Sequence, residues 1–123
     1  MSRKTLYILH VIAKLIFAFC FLIIPILFWS LYGTSTDANG IWIGRYFAAL
    51  MLVLAFLAWS YKDLPDNSQE AKIFSQAIVL EWGLVGLFIF LYQLQGGYNF
   101  LGWATIAICA LFVILFAMDA YKT

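Results

Sequence analysis

Charged side chains inside long apolar stretches are the residues of this chain whose type and position suggest chemistry. Lys14, Arg45 and Glu81 each interrupt such a stretch, and the single histidine, His10, precedes Lys14 by one helical turn. A charge at the centre of a bilayer costs about 2.5–3.5 kcal/mol on insertion scales, so it usually faces the protein interior and pairs there. Because histidine and glutamate are also titratable, such a group can bind a proton or a small polar ligand.

The apolar stretches themselves predict the elements that position these residues. Segments at about 5–29, 41–61, 71–92 and 100–120 each reach the roughly 20 apolar residues that span a bilayer. Each must be helical, because lipid offers no partner for free backbone N–H and C=O groups. The links are short, so neighbouring helices should be antiparallel. We therefore expect an all-α, transmembrane four-helix up-down-up-down bundle that forms a single domain.

The composition supports a membrane protein and argues against several other classes. Hydrophobic residues make up 66% of the chain and charged residues 11%, whereas a soluble domain carries about 25% charged residues. The net charge of +1 offers no basic surface for nucleic acid. No HExxH, GxSxG or Walker motif occurs, so we expect no catalytic residue, no metal and no cofactor, and an enzyme is not favoured.

The basic residues predict which side of the membrane each loop faces. Arg3 and Lys4 precede the first segment, Lys62 and Lys72 flank the second link, and Lys122 follows the last segment. The other two links contain no Lys or Arg. Since cytoplasmic loops are enriched in these residues, both termini and the second link are expected in the cytoplasm.

Lys14 and Glu81 are predicted to lie at similar depth. Both helices run outward from the cytoplasm, and the two residues lie about nine and ten residues into them. His10, Lys14, Glu81 and the neighbouring Trp82 are therefore candidates for one intramembrane polar site. The alternative is a structural ion pair that fixes the register and rotation of the helices. The sequence leaves both interpretations open.

Arg45 lies near the outer surface, about five residues into the second segment. It is predicted to be an interfacial anchor whose guanidinium reaches loop groups such as Asp37 or Asn99. The other interpretation is a cation directed at an anionic lipid headgroup or a partner carboxylate.

Small residues predict close helix packing. Gly40, Gly44 and Ala48 form a small-xxx-small ridge, and Gly83 with Gly86 gives the third segment a smooth patch. Such positions let helices approach closely. They serve either packing inside the bundle or association between chains.

Two sequence blocks resemble a known group of proteins. They are Gly44-Arg-Tyr-Phe-Ala-Ala-Leu through Leu57-Ala-Trp-Ser-Tyr-Lys, and Gly97-Tyr-Asn-Phe-Leu-Gly-Trp103. The chain is similar there to uncharacterised small bacterial four-helix integral membrane proteins, and it resembles DoxX-like proteins in architecture only. The resemblance implies the four-helix fold and a multi-pass location in the bacterial inner (cytoplasmic) membrane. It implies no activity and no functional residue.

Three functions remain open from the sequence. The first is a non-catalytic accessory or interaction subunit that acts through helix–helix or lipid contacts. The second is an oligomeric small transporter or channel that uses a Lys14/Glu81 intramembrane polar site. The third is a binder or enzyme for a lipophilic small molecule near Glu81 and Trp82. The expected partners are membrane lipids and either a homo-oligomer or a larger membrane complex.

Overall fold

The computed structural model describes residues 1–122, and every regular element within them is an α-helix. Five helices follow one another: α1 (Arg3–Ile23), α2 (Pro25–Leu31), α3 (Ala38–Tyr61), α4 (Gln69–Leu94) and α5 (Phe100–Ala120). Helices α1, α3, α4 and α5 are each long and apolar enough to cross a membrane. The prediction of an all-α chain with four helices long and apolar enough to span a membrane is therefore confirmed.

The four long helices begin at polar caps. Ser2, Asp37, Ser68 and Asn99 precede them, and each side chain accepts a hydrogen bond from a backbone N–H of the first turn. These N–H groups have no partner within the helix, so a capping oxygen stabilises the helix start by about 1 kcal/mol. The caps explain why α1, α3 and α4 start two or three residues before the predicted apolar segments, inside the polar sequence.

The first predicted helix, at about 5–29, is two helices in the structure. Proline has no N–H, so Pro25 leaves the Phe21 carbonyl without its helical partner. The residue before a proline is also disfavoured in the helical region, and Ile24 accordingly has φ −126° and ψ 45°. Pro25 then occupies the first turn of α2, where the missing N–H costs nothing. Helix α1 therefore ends at Ile23, and α2 begins after a break at Ile24.

The helices associate as two pairs. Helices α1 and α3 pack along each other, with α2 beside them, and α4 packs along α5; backbone contacts between these two pairs are sparse. We call α1–α3 the first pair and α4–α5 the second pair. The surface on which they meet is the pair interface, and every long-range polar contact described below lies on it or at its edge.

The two ends of the pair interface are packed differently. Arg3, Asp119 and Pro65 meet at one end, which we call the Arg3 end. Tyr32 and Asn99 meet at the other, the Tyr32 end. The half toward the Arg3 end has one core built from α1, α3, α4 and α5, with Ile78 and Phe116 fully buried in it. The half toward the Tyr32 end has a buried core from α1, α2 and α3 alone.

Candidate functional site

A complete hydrogen-bond network joins the pairs at the Arg3 end. Arg3 Nε donates to Asp119 Oδ2 at 2.9 Å and Oδ1 at 3.2 Å, and its Nη1 donates to the Pro65 carbonyl at 3.0 Å. Ser75 Oγ donates to Asp119 Oδ2 at 2.7 Å and lies 2.7 Å from the Tyr7 hydroxyl. We call Arg3, Tyr7, Ser75 and Asp119 the Arg3 network. All four residues are buried, and buried charges of this kind are stabilised only when paired and hydrogen-bonded.

The central cluster lies further along the same interface and contains the four predicted site residues. Lys14 Nζ donates to Glu81 Oε1 and lies 4.3 Å from the centroid of the Trp82 ring. Trp82 Nε1 donates to His10 Nδ1 at 3.1 Å. Both contacts connect α1 with α4, so the structure brings His10, Lys14, Glu81 and Trp82 together. An ammonium over an aromatic face is attracted by the ring quadrupole, which fixes where the Lys14 amine points.

Two buried atoms of the central cluster have no hydrogen-bond partner within residues 1–122: His10 Nε2 and Glu81 Oε2. His10 Nδ1 accepts from Trp82, so the hydrogen bond assigns the proton of the neutral imidazole to Nε2. The His10 ring is surrounded by phenylalanine rings, with the Phe116 centroid 5.3 Å from the His10 ring at an interplanar angle of 73°. Unlike the Arg3 network, the central cluster is therefore incompletely satisfied.

A partly open cavity begins at the central cluster and extends toward the Tyr32 end. Its volume is about 80 Å³, several times the space that one water molecule needs. All five helices contribute to its wall, which is mainly aromatic and aliphatic. The apolar lining consists of Phe17, Phe21, Phe28, Trp29, Tyr32, Phe47, Met51, Trp82, Val85, Ile89 and Tyr98; the remaining lining residues are Lys14, Thr105 and Cys109.

Lys14 supplies the charge in this wall, while His10 does not line it. Glu81 is also not among the lining residues, so only Lys14 of the three titratable residues in the central cluster reaches the cavity. His10 lies below the cavity and supports Trp82 through the hydrogen bond described above. Trp82 in turn stacks on Phe112, with ring centroids 4.6 Å apart and an interplanar angle of 11°.

Hydroxyl and amide groups close the cavity at the Tyr32 end. The Tyr32 hydroxyl lies 2.5 Å from Thr105 Oγ1, and Asn99 Nδ2 donates to the Leu31 carbonyl at 2.9 Å. Tyr98, in the link between α4 and α5, stacks on Trp29 with centroids 5.7 Å apart. Burial raises the pKa of the Tyr98 hydroxyl above its usual value, so this wall stays neutral near pH 7. No pattern in the sequence places these aromatic residues around a cavity.

Arg45 lies apart from the central cluster. Its guanidinium carbon is 4.7 Å from the centroid of the Trp42 ring, one turn away on α3. The loop groups proposed for it have other contacts, because Asp37 caps the Gly40 amide and Asn99 bonds Leu31. A cation stacked on an exposed tryptophan is typical of an interfacial position.

Gly44, Gly83 and Gly86 each face another helix of the same chain, whereas Gly40 does not. A Cβ on Gly44 would meet Phe21 Cδ1 at 3.1 Å, and one on Gly86 would meet Cys109 Cβ at 2.9 Å. Ala48 is fully buried. A Cβ on Gly83 would lie 3.9 Å from Val113, and one on Gly40 would meet the Thr36 hydroxyl instead of another helix. These positions therefore allow close approach within each pair.

The sequence does not predict the Arg3 network, because Arg3 precedes the first apolar segment and Asp119 lies at the end of the last one. The available signal is their common side, since both termini are expected in the cytoplasm. No group of three or more His, Cys, Asp or Glu side chains within residues 1–122 is arranged to hold a metal ion. No protein-family model, curated protein or solved structure matches the chain, so the resemblance to small bacterial membrane proteins stays a prediction.

Proposed function

We propose that this chain is an integral membrane protein that binds a small lipophilic molecule in the cavity between its helix pairs. The observation that carries the proposal is the cavity itself, an aromatic pocket of about 80 Å³ with Lys14 in its wall. Ligand sites are typically concave and mostly apolar, with a few polar groups that set orientation. Of the three functions left open by the sequence, this arrangement favours the binder of a lipophilic molecule.

The size of the cavity limits the ligand. Sites for drug-sized molecules occupy about 300–1,000 Å³, several times the volume found here. The cavity is also smaller than the apolar cavity of about 150 Å³ that binds benzene in an engineered protein. A single ring therefore binds here with part of it extending through the open side of the cavity, whereas a whole lipid does not fit. The wall is built from helices rather than loops, apart from Tyr98 and Tyr32 at one end, so the binding geometry is held by the packed bundle.

The membrane placement that accompanies this proposal follows the basic residues. We place both termini and the α3–α4 link on the cytoplasmic side of a bacterial inner membrane, with the four long helices arranged up-down-up-down. The Arg3 end supports this placement, because Arg3, Asp119 and the Pro65 carbonyl meet there. Lys4 and Lys62 also meet Asp63 at this end, at 3.2 Å and 2.7 Å.

The binding proposal can be tested with tryptophan residues as internal reporters. Trp29 and Trp82 line the cavity, whereas Trp42 and Trp59 are more than half exposed on the outer surface of the bundle. The protein is labelled with 5-fluorotryptophan, placed in nanodiscs and titrated with cumene, a small apolar ring compound. We expect saturable ¹⁹F shifts at Trp29 and Trp82 and only linear, lipid-like shifts at Trp42 and Trp59.

A matched pair of variants separates cavity binding from partition into lipid. Val85→Phe adds a ring to the cavity wall, while Val53→Phe makes the same change at a lipid-facing position of α3. The first should abolish the saturable shift and the second should leave it intact. Equal, non-saturating shifts at all tryptophans in the unaltered protein would refute the binding proposal.

The proposed orientation has its own test. Single cysteines at Asn67, in the α3–α4 link, and at Ser35, between α2 and α3, are labelled in intact cells with an impermeant maleimide, in a Cys20→Ala/Cys109→Ala background. We expect labelling at position 35 and protection at position 67. The reverse pattern would overturn the orientation while leaving the binding proposal untouched.

A groove on the lipid-facing side of α4 and α5 favours a second candidate, the accessory subunit. Gly83, Gly86 and Ala110 lie in its floor, and Leu87 and Phe90 border it. Such a surface admits a lipid chain or a partner helix. Native mass spectrometry from a gentle detergent is the test, and a strict monomer without lipid or protein would argue against this candidate. The same spectrum would show whether the oligomer required by a transporter forms.

A further inference from the structure

We infer that the ligand of the cavity carries an uncharged acceptor oxygen, such as a ketone or amide carbonyl, which Lys14 binds. This inference rests on the proposed binding function and adds the chemical class of the ligand to it. Its basis is the position of one donor, the Lys14 ammonium, between a carboxylate, an aromatic face and the cavity.

The Lys14 ammonium has more N–H donors than it has hydrogen-bond acceptors around it within residues 1–122. An ammonium carries three N–H donors, and within residues 1–122 its nitrogen has one hydrogen-bond acceptor, Glu81 Oε1. The Trp82 ring stabilises the charge from another direction without accepting a conventional hydrogen bond. The Lys14 side chain is only 3% exposed, so an unused donor has access chiefly to the cavity that it lines. An acceptor oxygen placed there would complete the coordination of the amine.

The charge balance of the central cluster determines whether a neutral or an anionic ligand oxygen binds better. Glu81 already compensates the charge of Lys14, so the pair as a whole is neutral. A carboxylate or phosphate in the cavity would place a second negative charge near Glu81, and like charges at close range in a poorly solvated site repel strongly. A carbonyl oxygen accepts the hydrogen bond without this cost. The remaining titratable groups near Lys14 are His10, which lies behind Trp82, and the Cys109 thiol.

The rest of the cavity requires the remainder of the ligand to be apolar. The hydroxyl groups of Tyr32 and Thr105 bond to each other, and Thr105 also donates to the Leu101 carbonyl. Phe17, Phe21 and Phe28 present hydrocarbon between these hydroxyls and Lys14. A polar group at that position would lose its hydration without gaining a partner. The chemical class is therefore a compact apolar ring with a single carbonyl.

Acetophenone and cumene provide matched probes for this inference. They differ in having a ketone or an isopropyl group on the same ring, and the ¹⁹F titration at Trp82 measures both. A hydrogen bond to a charged donor in a dry site is worth about a tenfold gain in affinity or more. We compare the acetophenone-to-cumene affinity ratio between protein variants, because the different partition of the two probes into lipid then cancels.

The decisive variant is Lys14→Met/Glu81→Leu, since replacing both members of a buried ion pair with apolar residues usually preserves stability. We expect its affinity ratio to fall about tenfold relative to the unaltered protein. Leu15→Met, at a lipid-facing position beside Lys14, should leave the ratio unchanged. Benzoate, the anionic analogue, should give no saturable shift.

The possible outcomes separate the two proposals. If both probes give saturable shifts but the double variant keeps the same ratio, the carbonyl inference is wrong and the binding function stands. Saturable benzoate binding at the expense of acetophenone would likewise overturn the inference, in favour of an anionic ligand. If neither acetophenone nor cumene produces a saturable shift at Trp29 and Trp82, the binding function itself fails.

Discussion

The two helix pairs meet in different ways in the two halves of the molecule. Toward the Arg3 end, one core extends across α1, α3, α4 and α5, and the buried charges of Arg3 and Asp119 have several partners. Toward the Tyr32 end, the buried core belongs to the first pair alone, and a cavity separates it from α4 and α5. The central cluster lies between these regions and retains unpartnered polar atoms.

This contrast distinguishes two uses of buried polar groups. A network whose members are all satisfied fixes how helices meet and leaves nothing for a ligand to bond. A cluster with unused donors and acceptors beside a cavity has lower stability by itself, but it offers a ligand specific contacts. Stability and binding should therefore depend on different residues of the same interface.

The largest expected effect is the loss of Asp119. Asp119→Leu leaves the Arg3 guanidinium buried without its carboxylate, and breaking a buried pair in this way typically costs about 3–5 kcal/mol. Thermal unfolding in detergent should show this loss, and Arg3→Met/Asp119→Leu should recover much of it. Met118→Leu, at the adjacent exposed position, is the control. An Asp119→Leu protein as stable as this control would mean that the network does not hold the pairs together.

Larger side chains should lower the unfolding free energy by different amounts in the two halves of the pair interface. Ala58 is fully buried in the core near the Arg3 end, and Ala58→Leu should cost about 1–3 kcal/mol by overpacking. Val85→Leu places its extra methylene in the cavity, so we expect a change below about 0.5 kcal/mol. Unfolding midpoints of both variants provide the measurement. Equal losses would show that the half with the cavity is packed as tightly as the other.

Removing the central charge should have a smaller effect on stability. Lys14→Met leaves Glu81, whose side chain is 19% exposed and already has one unpartnered oxygen. We expect a loss of about 1–2 kcal/mol, clearly less than for Asp119→Leu. The two variants are compared in one unfolding series. A loss for Lys14→Met equal to that for Asp119→Leu would assign the central cluster a mainly structural role.

The smallest effect is expected at the surface of the Arg3 end. Hydrogen bonds from Lys62 and then Lys4 lower the pKa of the exposed Asp63 carboxyl. A lowered pKa stabilises the folded protein above the unfolded pKa of about 4, and this contribution disappears as the pH falls through the lower, folded value. The stability difference between the unaltered protein and Asp63→Asn should therefore shrink between pH 6 and pH 3. A difference that grows on acidification would have the wrong sign.

The sequence predicted the spanning helices well because lipid leaves the backbone few alternatives. The depth of Lys14 and Glu81 could also be estimated, since a helix rises by a constant amount per residue. Which way an aromatic residue near a membrane boundary points could not be predicted, because Trp29, Tyr32 and Tyr98 have the same amphipathic character at a lipid surface and around a cavity. The cavity arises from how two pairs of helices meet, and hydropathy along a single helix contains no information about that contact.

The break at Pro25 has a mechanical consequence for the cavity. Helix α2 contributes Phe28 and Trp29 to the wall, whereas Lys14 belongs to α1. Because Pro25 interrupts the helical hydrogen-bond ladder between the two segments, we expect α2 to shift more readily than α1 when a ligand binds. A cavity with one wall that can move accommodates ligands of different sizes. We therefore expect the binding affinity to change gradually with the size of the ring. Moving the acceptor oxygen away from Lys14 should instead reduce the affinity sharply.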